Sequence, residues 1–265
     1  MKIKCDDFNL EATLESGQVF GFKKNADGAY AGNLLGYPVR LSQTNGSVEA
    51  EGTAGEAVVR HYFDLDRDLR PLFDIVAQEP ALAKTLFAFR GLRLIRQDPW
   101  EALACFIISS NNNVKRIMGI HKNLVQYFSG FPSPAQLART HERTLRQLGL
   151  GYRAPFLLNT AQFLSTNPDY LEMIRHAGYA EARSRVLAFP GIGPKVADCV
   201  LLYGFHRLDA FPVDVWMLRT MRKLYFRNRG VDERRIHAFG RRRWGPLAGY
   251  VQQYLFHGAR TGVIE

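Results

Sequence analysis

The sequence predicts an α+β protein, mostly α, with a small antiparallel β-rich module at the N-terminus followed by a large helical region. Three observations carry that prediction. Over the first fifty or so residues, short runs with partial alternation are punctuated by glycine. Past Thr53 the apolar spacing turns helical, with Val58, Val59, Tyr62 and Phe63 on one face. Downstream, Pro99, Pro155 and Pro246 each stand near the start of a helical segment, where a missing N–H costs little. The chain's 265 residues, 46% hydrophobic and 23% charged, suffice for one or two domains with a real core and exclude disorder as the main state. The longest apolar runs, such as Cys199-Val-Leu-Leu-Tyr203, are far too short to cross a bilayer, and the start Met-Lys-Ile-Lys-Cys-Asp-Asp lacks the apolar stretch of a signal peptide. Three widely spaced cysteines (Cys5, Cys105, Cys199) fit neither a disulfide framework nor a metal cluster. These features predict a soluble protein of a reducing cytosol.

Taken in order, the strand candidates are Ala29-Tyr-Ala-Gly-Asn33, Tyr37-Pro-Val-Arg-Leu41 and Ser47-Val-Glu-Ala-Glu51, with Gly36 and Gly52 as breaks and Asn45-Gly46 as a hairpin signal. Helices are then expected at about 79–90, 98–110, 114–128, 133–147, 153–166, 169–176, 180–188, 194–204, 213–226, 232–240 and 246–258. The boundary between the β-rich part and the helical part is placed at 85/86, giving domains 1–85 and 86–265.

Charge is concentrated in one stretch. Ten Arg or Lys lie between Arg219 and Arg243 against Asp232 and Glu233, so net +8 of the total +10 falls in 25 residues. Such a run attracts a phosphate-rich partner, because each neutralised phosphate releases condensed counterions. A solvated arginine-rich helix face is the alternative.

The segment that carries chemistry is Phe189-Pro-Gly-Ile-Gly-Pro-Lys-Val-Ala-Asp-Cys199, a tight turn joining two helical segments with Pro194 opening the second (hairpin about 184–204). Glycines permit unusual backbone angles and close approach, so N–H groups of Gly191, Gly193 and Val196 can face a phosphate. That is the logic of a helix-hairpin-helix, which grips a nucleic-acid backbone without reading bases. Lys195 falls in the first turn of the second helix, where the dipole opposes a cation and favours the neutral, nucleophilic amine. Nineteen residues on, Asp214 heads the next helix. It suits a helix cap, and equally a carboxylate that stabilises an oxocarbenium-like sugar while an amine attacks C1′.

These residues resemble a known family, the helix-hairpin-helix base-excision glycosylases, and within it the 8-oxoguanine DNA glycosylase branch. Besides the hairpin and Pro212-Val-Asp-Val215, the branch's pattern is followed in order by Gly91-Leu-Arg-Leu-Ile-Arg-Gln-Asp-Pro99, Ser109-Ser-Asn-Asn-Asn113, Leu148-Gly-Leu-Gly-Tyr-Arg-Ala154 and Trp244-Gly-Pro-Leu-Ala-Gly249. Ser16-Gly-Gln18 and Tyr62-Phe-Asp-Leu-Asp66 are similar to its N-terminal domain. The resemblance implies that Lys195 is a Schiff-base nucleophile and Asp214 its acidic partner. It implies that the Gly17 carbonyl senses the N7 proton of 8-oxoguanine, that Cys199 packs against one face of the extruded base, and that Gln252 and Phe256 bond its Watson–Crick edge and stack on its other face. By the same resemblance Asn111, Arg116, Tyr152 and Arg153 fill the vacated stack and contact the widowed cytosine. Three consecutive asparagines, poor helix formers, in a segment expected to be buried are a local conflict, which favours a functional reading of Asn111.

The chain departs from the pattern twice. Trp216 stands where eukaryotic members carry a phosphate-holding histidine, and its residue type suits a core position. Ala259 replaces an acidic pocket residue. The resemblance implies a bifunctional glycosylase and AP lyase that acts as a monomer on double-stranded DNA containing oxidised guanine, with no cofactor, no catalytic metal and no membrane. The absence of an N-terminal targeting extension points to a prokaryotic cytoplasm, at the nucleoid. A monofunctional glycosylase for other damaged bases is disfavoured by Lys195, and an iron–sulfur relative by the lack of cysteines after Cys199. A non-catalytic DNA-binding module leaves Lys195, Asp214 and Gln252 together unexplained.

Overall fold

The structure, a computed structural model, describes residues 1–44 and 46–264. In chain order the elements are β1 (Lys2–Lys4), α1 (Leu10–Glu15), β2 (Lys23–Lys24), β3 (Tyr30–Leu34), β4 (Tyr37–Thr44), β5 (Ser47–Gly52), α2 (Glu56–Tyr62), α3 (Arg70–Ala77) and α4 (Pro80–Phe89). There follow α5 (Pro99–Ser109), α6 (Val114–Phe128), α7 (Pro134–Ala138), α8 (Glu142–Leu145), α9 (Ala154–Thr166), α10 (Tyr170–His176), α11 (Tyr179–Leu187), α12 (Pro194–Gly204), α13 (Val215–Tyr225), α14 (Glu233–Trp244) and α15 (Ala248–Thr261). The chain is thus α+β and mostly α, with its sheet at the N-terminus. Contacts group it into two compact units, Met1–Arg96 with His206–Glu265, and Gln97–Phe205. Among the described residues no helix is long and apolar enough to cross a membrane.

The first unit holds an antiparallel sheet of order β1-β5-β4-β3-β2, in which Leu41 pairs with both Tyr30 and Ala50. Alternation along β4 and β5 buries Val39, Leu41, Val48 and Ala50, which form one core cluster with Val59, Tyr62 and Phe63. The β4–β5 connection is the expected hairpin, pairing Thr44 with Ser47, and Gly46 has a φ of +69°. Asn45, the other half of that signal, lies outside the described residues. Two strands and two helices were not legible in the sequence. β1 and β2 are only three and two residues long, and β2 is two lysines held through backbone pairing to β3. α1 depends on a side-chain cap, the Asn9 carboxamide accepting from the Ala12 N–H at 2.9 Å, and α3 buries Leu72 and Val76 behind a proline start.

At the C-terminal end of this unit, α14 runs past its expected stop at 240. Gly240 is a packing device there, because a Cβ on it would stand 2.6 Å from the Phe211 ring. The Phe211 ring in turn stacks on Trp244, with centroids 5.5 Å apart. α15 is buried from Ala248 to Leu255, and its Tyr254 hydroxyl donates to the Leu92 carbonyl at 3.3 Å.

In the second unit two nearly all-apolar helices, α5 and α12, form the centre. Gly204 lets them approach, since its Cβ would lie 3.0 Å from that of Ala102, and Phe106 stacks on Tyr203 at 5.3 Å. α5 starts on Pro99 with the Asp98 carboxylate accepting from Glu101 N–H at 2.9 Å. The single helix expected at 133–147 is two. α7 carries a Ser133/Gln136 capping box, and the Thr140 hydroxyl bonds back to the Gln136 carbonyl before α8 begins.

Candidate active site

The hairpin is built by α11, a turn through Gly191 and Gly193, and α12. Gly191 is required twice over: its φ is +78°, and a Cβ would meet the Phe156 ring at 2.4 Å. Gly193 has an ordinary φ of −96° and open space where a Cβ would go, so the unusual angle expected of both glycines occurs only at Gly191. As N-cap of α12, Gly193 contributes no side chain and leaves the helix start uncovered. The first helical bond runs from Ala197 N–H to the Gly193 carbonyl, so the N–H groups of Lys195 and Val196 precede the hydrogen-bond ladder and favour an anion. Lys195 is half-buried, its Nζ 5.7 Å from the Phe106 ring centroid, and the Val196 side chain is buried. Cys199, one turn on, is 3% exposed, and none of the three cysteines forms a disulfide.

Asp198, to which the sequence pattern assigns no role, carries a signal of its own, a carboxylate set between Val196-Ala197 and Cys199-Val200. It is 2% exposed and receives Arg183 Nε at 2.8 Å, Arg183 Nη2 at 3.2 Å and the Tyr179 hydroxyl at 2.6 Å. Both partners belong to α11, so this buried ion pair locks the two hairpin helices together.

The second unit also gathers Asn111, Tyr152 and Arg153. Asn111 is exposed with a φ of +48°, and its amide reaches the Tyr152 hydroxyl at 3.4 Å. Tyr152 is 48% exposed, a flat ring presented to solvent. The Arg153 guanidinium lies 4.3 Å from the Tyr152 ring centroid and donates to the Ser110 and Asn111 carbonyls at 2.7 and 2.9 Å. At 2% exposure Arg153 is a buried strut under the other two. The asparagine triplet, expected in a buried segment, is instead a largely exposed turn between α5 and α6, in the gap between the helices expected at 98–110 and 114–128. Asn112 Nδ2 bonds the Ile108 carbonyl, and Asn113 caps α6 by accepting from the Arg116 N–H. Local capping therefore accounts for two of the three, and Asn111 takes the left-handed conformation that asparagine tolerates. Arg116 is exposed in the first turn of α6.

The first unit carries Gly17, Asp214, Gln252 and Phe256. Asp214 is half-buried and caps α13, one carboxylate oxygen accepting from the Met217 N–H at 2.8 Å. Trp216, whose residue type suits a core, is 45% exposed instead, because the first turn of α13 buries only Met217. Gly17 has a φ of +83° and packs against Phe256: a Cβ there would stand 3.5 Å from the ring and 3.3 Å from Arg260 Nη1. Gln252, one turn before Phe256 on α15, is 3% exposed, and among the described residues its buried Oε1 has no hydrogen-bond partner. An orphaned buried acceptor costs free energy unless something supplies a donor. Ala259 is buried and adds no charge to this helix.

His257, next to Phe256, lies against Phe89 at 4.2 Å between centroids and accepts from Arg260 on Nδ1. Burial, followed by the Arg260 charge, pulls its pKa from 6.5 down to about 4. The unfolded chain therefore binds the extra proton first, so stability is complete above about pH 6.5 and falls as the pH drops towards about 4. Urea denaturation across that window is expected to show this slope, and His257→Phe should flatten it.

Part of the basic run is structural. Arg222 holds the Val231 carbonyl, Arg241 pairs with Asp209 at 2.9 Å, and Arg243 pairs with Glu79 at 2.8 Å. The other seven basic side chains of the run are exposed on or beside α13 and α14.

Two family models match the chain: the 8-oxoguanine DNA glycosylase N-terminal domain over residues 1–103, and the HhH-GPD superfamily of base-excision DNA repair proteins over 104–246. A probable N-glycosylase/DNA lyase of Methanothermobacter thermautotrophicus is 33% identical over 100% of this chain and 98% of its own length. The N-glycosylase/DNA lyase of Saccharomyces cerevisiae is 34% identical over 74% of this chain and 64% of its own. Among solved structures, the Clostridium acetobutylicum 8-oxoguanine glycosylase/lyase in complex with double-stranded DNA containing cytosine opposite 8-oxoG superposes with a TM-score of 0.91. It is 30% identical and covers 100% of this chain and 99% of that one. A hairpin with an uncapped lysine-bearing helix start, an Asp-capped helix after it and full-length similarity to glycosylase/lyases place the chain in the 8-oxoguanine DNA glycosylase family of the HhH-GPD base-excision repair superfamily.

Proposed function

We propose that this protein is a bifunctional DNA glycosylase/AP lyase that removes 8-oxoguanine opposite cytosine from duplex DNA. The observation that carries the reading is the trio on and beside α15: a buried Gln252 whose Oε1 has no partner among the described residues, the Phe256 ring one turn on, and Gly17 packed against that ring. An extruded purine supplies what this trio lacks. Its Watson–Crick N–H groups satisfy Gln252, its π-face stacks on Phe256, and the N7 proton that guanine lacks finds an acceptor in the Gly17 carbonyl. Cys199 packs against the same base.

The chemistry follows from two helix starts. The Lys195 amine attacks C1′ of the sugar, the glycosidic bond breaks with its electron pair leaving on the base, and Asp214 stabilises positive charge developing on the sugar. The nitrogen loses a proton and the C1′–O4′ bond of this aminal then breaks, O4′ leaving as a hydroxyl, to give an imine that acidifies the neighbouring C2′ protons. Loss of one of these and β-elimination expels the 3′ phosphate. The N–H groups of Gly191, Gly193 and Val196 hold a backbone phosphate at the dipole end of α12. Asn111 and Tyr152 occupy the vacated stack, while Arg116 and Arg153 address the unpaired cytosine, Arg153 chiefly by fixing the turn. The exposed arginines of α13 and α14 add salt-sensitive attraction without sequence preference. The protein acts as a monomer on DNA in the cytoplasm.

Single-turnover cleavage of four duplexes, with 8-oxoguanine opposite each base in turn, tests the assignment. Cleavage is expected to be fastest opposite cytosine, and Arg116→Ala should reduce that preference about tenfold, the value of one good base contact. Equal rates opposite all four bases would overturn the cytosine assignment.

A further inference from the structure

Gly17 can discriminate only if its carbonyl is held in place, since a hydrogen bond weakens steeply with misalignment and a misplacement of about 1 Å at a reacting site can cost about a hundredfold. The residues around it show what holds it. Arg260 Nη2 donates to the Glu15 carbonyl, and Gln253 Nε2 donates to the Ser16 carbonyl at 3.0 Å. The two carbonyls immediately before Gly17 are thus gripped by side chains of α15. The Ser16 hydroxyl donates to the Thr13 carbonyl at 2.9 Å and accepts from Gln18 Nε2 at 3.1 Å. Gln18 is tied in turn to Arg93 and Ile95, donating to the carbonyl of one and accepting from the N–H of the other. Arg260 does more than donate. Its guanidinium stands 5.7 Å from the Phe256 ring centroid, its Nη2 also donates to His257 Nδ1, and its Nη1 occupies the space beside the Gly17 Cα.

From this geometry we infer that Arg260 and Gln253 are positioning residues for base discrimination, fixing the Gly17 carbonyl to the helix that carries Gln252 and Phe256. The inference rests on the 8-oxoguanine reading above. Edge recognition, stacking and lesion sensing are then mounted on one rigid element, and the glycine turn cannot drift independently of the base it reads. A neutral His257 suits the arrangement, because its Nδ1 lone pair accepts from Arg260 and adds no competing charge. Neither residue touches the sugar chemistry in this scheme, so loss of either should spare cleavage at a site where the base is already gone.

The test uses the full chain with Arg260→Met, which keeps an unbranched stem and removes the donors, and Arg260→Lys, which restores one donor. Gln253→Met serves as an independent second variant. Equilibrium competition between 8-oxoguanine:C and guanine:C duplexes is measured in a Lys195→Gln background, where no bond breaks. Borohydride trapping on a preformed abasic site opposite cytosine is measured with Lys195 intact. Arg260→Met and Gln253→Met are expected to narrow the preference for 8-oxoguanine about tenfold or more while trapping stays within about twofold of the parent, and Arg260→Lys should recover part of the preference. An unchanged preference, or equal losses in preference and trapping, would overturn the inference while leaving the 8-oxoguanine reading intact. A parent that shows no preference for 8-oxoguanine overturns that reading, and this inference with it.

Discussion

Lys195→Gln is expected to abolish the covalent protein–DNA adduct formed under borohydride with an 8-oxoguanine:C duplex and to slow base release by on the order of a thousandfold or more. The size of the effect follows from what the amine does. In the proposed mechanism it is the nucleophile, its imine is the electron sink of the elimination, and that imine is what borohydride reduces; glutamine can supply none of these. The substitution should nevertheless leave the fold in place, because Lys195 is half-buried over Phe106 and its N–H, which precedes the α12 ladder, belongs to the backbone. Duplex binding should weaken only as far as one lost positive charge allows, which a salt titration reads as a slope smaller by about one. Persistence of a trapped adduct in Lys195→Gln would show that another amine is the nucleophile.

Asp214→Asn separates the helix cap that Asp214 forms from the charge role proposed for the same carboxylate. Asparagine caps a helix as well as aspartate does, so the bond to the Met217 N–H should survive and the melting temperature should hardly move. What disappears is the negative charge, and with it the stabilisation of a positive sugar. Excision is expected to fall by about a hundredfold to a thousandfold, the usual cost of removing one electrostatic stabiliser. Asp214→Ala should combine that loss with about 1 kcal/mol of lost capping. If Asp214→Asn excises at the parental rate, the residue is a cap and nothing more.

Much of this protein was legible in its residues, and the reasons are local. Helix starts at Pro99, Pro194 and Ser133 could be read because proline and caps act within one turn. The alternation of β4 and β5 was legible because one face of the pair is buried. β1 and β2 were not, since two or three residues carry no period and are strands only because a neighbour's backbone pairs with them. The helix expected at 232–240 runs on past Gly240, which is a slot for the Phe211 ring, a contact 29 positions away in sequence. Trp216 looked like core and faces solvent. The asparagine triplet looked like a functional anomaly, and two of its members are ordinary caps.

The same division runs through the candidate site. Lys195 and Asp214 could be picked out from sequence because each stands at a helix start, where residue type and position alone define the electrostatics. The family could be recognised for the related reason that turn glycines and helix-start residues are constrained locally and keep their spacing. Only the folded chain shows that Asp198 clamps α12 to α11, that Arg153 is a buried strut while Tyr152 is presented, and that the buried Gln252 Oε1 has no hydrogen-bond partner among the described residues. Only the folded chain, too, shows that Gln253 and Arg260 reach across more than two hundred residues of sequence to hold the carbonyls before Gly17. Hydrogen-bond satisfaction, burial and close approach are properties of neighbours in space, and no pattern along the chain encodes who those neighbours are.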